Sequence, residues 1–486
     1  MTIVRTVSGE VRGRDHGHCT SHLAIPYALA PVGELRWAPP VAVDPWEGVR
    51  DCTALGAAGW QLTGGPLDGL VPGMGSDHQG DDHLHVNVWA PTTPGPHPVL
   101  VWIHGGAFQL GANSLGVYDG QRLASTTDTV VVTINYRLGA LGFLLLDDES
   151  TAPNVGLLDQ CAALAWVRTN IASFGGDPRN VTIFGESAGG GSVLSLLSMP
   201  AAQPLFDRAI VQSGATDLLL TRDAAREVAA TFARCAGVDV ADIDALRALT
   251  PEQVLSAQAQ SVGELFATVG TMPFHPCIDG DVLPRSWQEA AEAGTSAKPV
   301  IIGTTRDEMS LFGSFDPAAA TLDDAALDAR LSGSGLDPGA VRAAYAAAGT
   351  TAPPEVWARL MTDRAMWMPA IRWASARCAS APTHMYRFDW TASAPGMGAP
   401  HGVDIPFAFG TIDRDGWDEF VSDPLGAEGL SATIRHAWST FARDGEPDLG
   451  GTPWPRYDVE RRATAILGPT VTVVDDPEAS VRTLWS

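Results

Sequence analysis

The motif Gly185-Glu186-Ser187-Ala188-Gly189 is the strongest candidate for a reactive centre in this chain. It places a serine two residues from a glycine on each side. A β-branched, apolar run at 179–185 predicts a strand before the motif, and small and apolar residues predict a helix after it, up to Pro200. Flanking glycines let the backbone turn sharply between the two elements, which leaves the serine hydroxyl at the tip of the turn. The motif therefore predicts that Ser187 is a nucleophile that acts by covalent catalysis.

A nucleophilic serine that attacks a carbonyl also needs hydrogen-bond donors for the oxygen that becomes negatively charged. The turn His104-Gly105-Gly106-Ala107 follows a predicted strand at 98–104 and carries only small side chains after its histidine. Its backbone N–H groups can converge on that oxygen together with the N–H of Ala188, the residue after the nucleophile. We therefore predict that this turn and Ala188 form an oxyanion hole.

The remaining partners of such a serine are an acid and a histidine, expected in that order along the chain. After a predicted strand at 298–303, Asp307 and Glu308 supply two adjacent carboxylates, and the pattern favours neither. His401 follows in a Gly- and Pro-rich stretch and is the candidate base. On the residues alone, a solvated surface histidine is an equally open interpretation of His401.

The elements that must position these residues alternate along the chain. Apolar or β-branched runs at 98–104, 129–135, 179–185, 208–212 and 298–303 predict buried strands, with helical spacing between them. This alternation favours an α/β fold with a mostly parallel central sheet and helices on both faces. Ala-, Leu- and Asp-rich blocks at about 217–265 and 316–380 predict helical cap insertions, and 61–80 predicts an irregular loop.

The composition of the chain bears on whether it binds nucleic acid or membranes and on the compartment in which it works. The chain has 486 residues and a formal net charge of −25, which repels nucleic acids and anionic membrane surfaces. No apolar stretch approaches the about 18 residues of a membrane span, and the first residues lack the apolar core of a signal peptide. The six cysteines are scattered, without a C-x-x-C zinc or redox motif. We therefore expect a soluble, reduced, cytoplasmic protein.

A long series of short motifs resembles the type-B carboxylesterases, the family of bacterial para-nitrobenzyl esterases, liver carboxylesterases and cholinesterases. Besides the serine motif, the matching segments are 9–13, 25–28, 31–37, 87–89, 101–108, 135–139, 154–160, 174–178 and 212–214. The resemblance implies a single α/β-hydrolase domain over 1–486, with the two helical blocks as insertions.

The resemblance also selects among the candidate residues. It implies that the nucleophile is Ser187, that the acid is Glu308 rather than Asp307, and that the base is His401. The oxyanion donors that it implies are the N–H groups of Gly106, Ala107 and Ala188. Supporting positions near the triad fall on Gly105, Glu186 and Ser213. Asp404 either supports the triad in a similar way or is a solvated loop carboxylate.

The function implied by the resemblance is that of a serine carboxylesterase. It would hydrolyse carboxylic esters of small to medium, mostly neutral molecules through an acyl-enzyme intermediate, with no metal and no cofactor. The partners implied are small-molecule esters, and neither nucleic acid nor membrane is expected. Two alternatives stay open: an amidase, carbamate hydrolase or peptidase with the same triad, and a non-catalytic adhesion module.

One segment departs from the family pattern. Many members have Glu-Asp-Cys-Leu where this chain has Asp81-Asp82-His83-Leu84, so the cysteine that closes a disulfide loop in secreted relatives is absent. This agrees with a reducing compartment. His83 and His85 alternate in a predicted strand, but a third metal ligand is missing nearby, so we predict no metal site.

Three further expectations concern the reaction. The Gly105-Gly106-Ala107 turn resembles the small-residue pattern associated with esterases that accept tertiary alcohols, although Phe108 could refill that space. Residues 61–82 contain no Trp, Tyr or Phe, so we expect choline esters to be poor substrates. With Glu308 as its neighbouring carboxylate, His401 should titrate at about 6.5–7.5, and the rate should rise with pH through that range.

Overall fold

The computed structural model describes residues 1–64, 75, 78–215, 218–266, 268–269, 272–417 and 420–485. Its described strands form one sheet of thirteen members. In chain order they are β1 Thr2–Arg5, β2 Glu10–Asp15, β3 Cys19–Pro26, β4 Val49–Asp51, β5 His85–Pro91, β6 His97–Ile103, β7 Val130–Ile134, β8 Gly176–Glu186, β9 Arg208–Gln212, β10 Val300–Thr305, β11 Thr383–Phe388, β12 Ala463–Leu467 and β13 Thr472–Asp475. The predicted irregular loop at 61–80 lies in large part outside the described residues.

The centre of the sheet is parallel and its margins are antiparallel, except that β4 pairs parallel with β2. The strand order is β1-β2-β3-β5-β7-β6-β8-β9-β10-β11-β12-β13, with β4 beside β2. Pairing is parallel from β7 through β6, β8, β9, β10 and β11 to β12. The strands β1, β3, β5 and β13 pair antiparallel with their neighbours. The mostly parallel sheet predicted from the alternation of elements is confirmed.

Burial on both faces explains why the central strands are continuous apolar runs. In β6, Val99, Val101 and Ile103 pack on one face with residues of two helices that follow in the chain. Leu100 and Trp102 point to the opposite face and pack in a second apolar cluster. All five side chains are fully buried, so no polar residue alternates with them.

Helices cover both faces of this sheet. They are α1 Gln121–Thr127, α2 Gly139–Phe143, α3 Val155–Asn170, α4 Ala188–Ser198, α5 Arg222–Cys235, α6 Ile243–Arg247, α7 Pro251–Leu265, α8 Trp287–Glu292, α9 Asp324–Gly333, α10 Pro338–Ala347, α11 Pro353–Thr362, α12 Met368–Arg377, α13 Ile405–Phe409, α14 Pro424–Asp444 and α15 Ala479–Arg482. Helices α3 and α4 pack on the face of Val99, and α14 packs on the face of Trp102. Helices α5 to α8 lie between β9 and β10 in the chain, and α9 to α12 lie between β10 and β11.

The register of the parallel strands brings several loops to one edge of the sheet. Ile103 at the end of β6 pairs with Gly185 of β8, and Glu186 pairs with Gln212 at the end of β9. Gln212 in turn pairs with Gly303, near the end of β10. The carboxyl ends of parallel strands are where α/β sheets bind ligands. The turn after β6 and the residues after β8, β9 and β10 therefore meet at one site.

Candidate active site

Ser187 is the single residue between β8 and α4. Its backbone has φ 56° and ψ −123°, a conformation that non-glycine residues rarely adopt. Its N–H donates to the carbonyl oxygen of Gln212 at 2.9 Å, and its own carbonyl accepts from Gly191 N–H at 2.8 Å. These bonds tie the strained residue to β9 on one side and to the first turn of α4 on the other. Ser187 is partly exposed, although residues 181–186 and 188–190 around it are buried.

Glu308 and His401 are joined by a short hydrogen bond. His401 Nδ1 lies 2.5 Å from Glu308 Oε2, and both side chains are buried. The other carboxylate oxygen, Oε1, accepts from Ser213 Oγ at 2.6 Å and from Thr305 N–H at 2.8 Å. Three donors therefore fix this carboxylate in one orientation. Of the two adjacent carboxylates, the structure brings Glu308 to the imidazole, whereas Asp307 contacts the backbone of Ala399.

A second carboxylate faces the opposite side of the imidazole. Glu186 Oε1 lies 3.1 Å from His401 Nε2. Burial raises the pKa of Glu186 to about 8, because the charge of His401 only partly offsets the loss of solvation. Within the part of the chain that the structure describes, no hydrogen bond joins Ser187 to His401. Nε2 instead faces Glu186.

The three carboxylates around His401 stabilise its imidazolium form. Burial alone would lower the pKa of His401, but the negative charges of Glu186, Glu308 and Asp404 outweigh burial and raise it to about 9. The sequence reasoning counted one carboxylate and gave a lower range. The difference arises because Glu186 and Asp404 also converge on the ring.

The turn after β6 lies directly beside Ser187. A Cβ on Gly105 would stand 3.2 Å from Ser187 Cβ, so the two backbones are in close approach. Gly106 and Ala107 are partly exposed, and Ala107 has a left-handed φ of 55°. Phe108, by contrast, is fully buried and packs edge-on against Phe143 at 5.1 Å. Of these residues, Gly106 and Ala107 are therefore the ones open to solvent next to Ser187.

Gln61 holds this turn from outside and was not singled out in the sequence. Its side-chain Oε1 accepts from Gly111 N–H at 2.9 Å, and its Nε2 donates to Gly111 carbonyl oxygen at 3.0 Å. Gly106 carbonyl oxygen accepts from the N–H groups of Gln109 and Leu110, which closes the turn internally. Gln61 is buried, so its amide replaces a backbone partner for the far end of the turn.

Asp404 is buried, so the solvated-loop interpretation of this residue is wrong. Its Oδ2 accepts from Gln212 Nε2 at 2.8 Å and from Tyr386 hydroxyl at 3.0 Å. Burial raises the pKa of Asp404 to about 6. Gln212 lies in a segment that matches the family but had no role assigned to it, and Tyr386 was missed, since each becomes relevant only through contacts made in the folded protein.

The histidine pair in the divergent segment is separate from these groups. His85 begins β5, whereas His83 lies before that strand, so the two do not alternate within it. His83 Nδ1 lies 3.0 Å from Gly80 carbonyl oxygen, and His85 Nε2 lies 3.0 Å from Ala57 carbonyl oxygen. Burial lowers the pKa of both imidazoles. In the described ranges, no group of three or more His, Cys, Asp or Glu is placed to hold a metal ion.

None of the helices described here combines the length and the apolar character needed to cross a membrane.

Comparison with known proteins identifies the family. A model of the carboxylesterase family matches residues 1–480. The para-nitrobenzyl esterase of Bacillus subtilis is 41% identical over 99% of this chain and 97% of its own length. A cocaine esterase of Homo sapiens is 36% identical over 93% of this chain and 84% of its own length.

Solved structures agree with the sequence comparison. A carboxylesterase of Geobacillus stearothermophilus is 37% identical, covers 100% of both chains and superposes with a TM-score of 0.88. These structural relatives are carboxylesterases with the α/β-hydrolase fold, which the sheet and helices of this chain share. The chain therefore belongs to the carboxylesterase family and is a serine carboxylesterase.

Proposed function

We propose that this enzyme hydrolyses carboxylic esters of small to medium, mostly neutral molecules with Ser187, His401 and Glu308 as its triad. The observation that carries the proposal is the 2.5 Å contact between His401 Nδ1 and Glu308 Oε2, at the sheet edge where β8 delivers Ser187. Its esterase relatives act on small-molecule esters, which supports the substrate class.

In the first half of the reaction, His401 Nε2 takes the proton of the Ser187 hydroxyl while Oγ attacks the ester carbonyl carbon. Nε2 gives up its contact with Glu186 at this step. The carbonyl electron pair moves to the oxygen, which accepts hydrogen bonds from the N–H groups of Gly106, Ala107 and Ala188. The tetrahedral intermediate then breaks its bond to the alcohol oxygen, which receives the proton from His401. The products are the free alcohol and an acyl-enzyme.

In the second half, water replaces the alcohol. His401 takes a proton from water as the water oxygen attacks the acyl carbon, and the same N–H groups bind the second oxyanion. Collapse of this intermediate breaks the bond to Ser187 Oγ and returns the proton to it, releasing the carboxylic acid. Glu308 stabilises the imidazolium in both halves, because Ser213 and Thr305 hold its carboxylate against Nδ1.

The test is removal of the nucleophile. Ser187→Ala should lower kcat on p-nitrophenyl acetate on the order of a million-fold and abolish labelling by a fluorophosphonate probe. Ser198→Ala is the matched control, because Ser198 is a buried serine at the other end of α4 and its hydroxyl donates to Leu194 carbonyl oxygen, within the same helix. It should keep both activity and labelling. A loss smaller than about a hundred-fold on Ser187→Ala would show that another group is the nucleophile.

Substrate class is tested separately. A panel of p-nitrophenyl esters from acetate to palmitate locates the acyl preference, and matched phenyl ester and anilide pairs compare ester with amide hydrolysis. We expect ester turnover to exceed anilide turnover for every acyl group. Faster anilide turnover would favour the amidase alternative.

We also propose a cytoplasmic location. Cys19, Cys52, Cys161, Cys235, Cys277 and Cys378 are all free thiols. This supports a reducing compartment, where disulfides seldom persist. The protein denatured without reductant should therefore titrate six thiols. Fewer reactive thiols in protein purified with thiols protected from oxidation would contradict this location.

A further inference from the structure

Asp307 stands next to Glu308 but faces a different part of the molecule. Its backbone N–H donates to Ala399 carbonyl oxygen at 2.9 Å. Its side-chain Oδ2 accepts from Ala399 N–H at 2.8 Å. One residue therefore satisfies both backbone groups of Ala399, which is buried and lies two residues before His401.

The chain on either side of Ala399 docks on the same surface. Ser310 Oγ lies 2.5 Å from Met397 carbonyl oxygen and 2.6 Å from that of Asp307. Gly398 has φ +59°, and a Cβ there would come within 2.2 Å of Asp307 Oδ2. Only glycine allows this loop to approach the carboxylate so closely.

These contacts matter because His401 lies in a loop and not in a helix or a strand. Residues 389–404, between β11 and α13, contain neither helix nor strand. The bonds from Asp307 and Ser310 are made to residues 397–399, just before the imidazole. Glu308, one residue along from Asp307, then meets that imidazole.

Two arginines hold the Asp307 carboxylate in place. Arg306 Nε donates to Oδ2 at 2.8 Å, and Arg359 Nε lies 3.9 Å from Oδ1. The carboxylate is therefore an anchored acceptor for Ala399 N–H, and it makes no contact with the imidazole itself.

We propose that Asp307 is a positioning residue, which sets His401 against Glu308 by clamping Ala399. The inference rests on the proposed role of His401 as the base. Asp307 takes no proton during the reaction, and what it supplies is an acceptor oxygen at a fixed place. An asparagine can supply the same oxygen, whereas an alanine cannot.

The structure offers a matched control at the opposite edge of the sheet. Asp207, just before β9, donates its N–H to Val181 carbonyl oxygen at 2.7 Å and accepts from Val181 N–H at 2.9 Å. Arg168 lies 3.3 Å from its other carboxylate oxygen. Asp207 thus makes the same pair of backbone bonds, with one arginine beside its carboxylate instead of two, but it holds the start of the β8 core far from Ser187.

The experiment compares Asp307→Ala, Asp307→Asn and Asp207→Ala by steady-state kinetics on p-nitrophenyl acetate and by thermal unfolding. Asp307→Ala should lower kcat about 10- to 100-fold with little change in KM, because a small displacement of a catalytic group costs that much. Asp307→Asn should keep most of the activity. Asp207→Ala should lose thermal stability while its kcat stays near that of the parent enzyme.

Two results would overturn the proposal. One is a parent-like kcat for Asp307→Ala, and the other is an Asp307→Asn enzyme as slow as Asp307→Ala, which would show that the charge matters rather than the clamp. If Asp307→Ala does not fold, Gly398→Ala is the second variant, since its methyl group would displace Oδ2. It should lower kcat, and an unchanged kcat would equally refute the clamp.

Glu308→Gln in the same series separates this proposal from the proposed function. A severe loss of kcat there supports the triad whatever Asp307 does. Full activity of Glu308→Gln would instead refute the triad, and with it the premise of the clamp.

Discussion

Replacing Glu186 by glutamine should move the pH dependence of this enzyme to lower pH. Glu186 Oε1 lies 3.1 Å from His401 Nε2, and its negative charge is one cause of the raised pKa of about 9 for that imidazole. In the proposed mechanism, His401 must be neutral to accept the proton of Ser187. Glutamine keeps the size of the side chain but removes the charge, so the imidazolium loses a stabilising partner and its pKa falls.

The size of the shift follows from the geometry. Two unit charges about 4 Å apart interact by about 4 kcal/mol at an effective dielectric constant of about 20, which corresponds to about three pKa units. Burial raises the pKa of Glu186 to about 8, so this carboxylate is mostly charged at pH 9, where His401 is half protonated. The midpoint should therefore fall by up to about three pH units.

The assay is kcat/KM for p-nitrophenyl acetate from pH 5 to 10, because this ratio reports ionisations of the free enzyme. Asp404→Asn is the control, since Asp404 makes the smallest of the three charge contributions and is already bonded to Gln212 and Tyr386. Its midpoint should move less than that of Glu186→Gln. A Glu186→Gln midpoint within about 0.3 pH unit of the parent, less than about 0.5 kcal/mol, would refute the reasoning.

Other consequences can be checked with the same assays. Glu308→Gln should lower kcat about ten-thousand-fold, because the amide fails to stabilise the imidazolium at Nδ1, and a loss under about tenfold would contradict this. The enzyme should hydrolyse both tert-butyl acetate and n-butyl acetate, since Ala107 is partly exposed and its neighbouring phenylalanine is buried. Ala107→Asn, which tolerates a φ of 55°, should suppress the tertiary ester selectively, and a parent unable to cleave it would disprove the idea. Butyrylthiocholine should show no micromolar KM, because 61–82 lacks aromatic residues and the Trp60 indole N–H is bonded to Asp81. His83→Asn should leave the pH midpoint unchanged, and loss of the titration in this variant would contradict the assignment of the base to His401.

The central strands were predictable from sequence because burial on both faces requires apolar residues at consecutive positions. Strand β6 is apolar at consecutive positions, since both faces of the central sheet are covered, and the prediction of 98–104 differs from His97–Ile103 by one residue at each end. Ser187 was equally visible, because the glycines and the change from strand to helix lie within a few residues of it. The family resemblance supplied the other two residues of the proposed triad, Glu308 and His401.

What sequence reasoning missed depends on contacts between distant parts of the chain. Gln61 meets Gly111 fifty residues later, and neither residue belongs to a pattern that marks the contact. Asp307 and Glu308 are adjacent and chemically alike, so the residues alone favoured neither and the family resemblance selected Glu308; the structure gives the physical difference, since Glu308 meets His401 and Asp307 meets Ala399. The predicted range for His401 is lower than the pKa of about 9 for the same reason, because Glu186, at the end of β8, and Asp404 also approach the imidazole.

The amide of Gln61 joins residue 111, four residues beyond the proposed oxyanion turn, to a segment that contains none of the proposed catalytic groups. Because it bonds both backbone groups of Gly111, we expect the turn with Gly106 and Ala107 to keep its shape only while Gln61 stays in place. A library that exchanges residues 62–80 would change the residues that directly follow Gln61. Any replacement that pulls on Gln61 would slow turnover as well, so such libraries should hold Gln61 and its neighbours constant and vary only the residues beyond them.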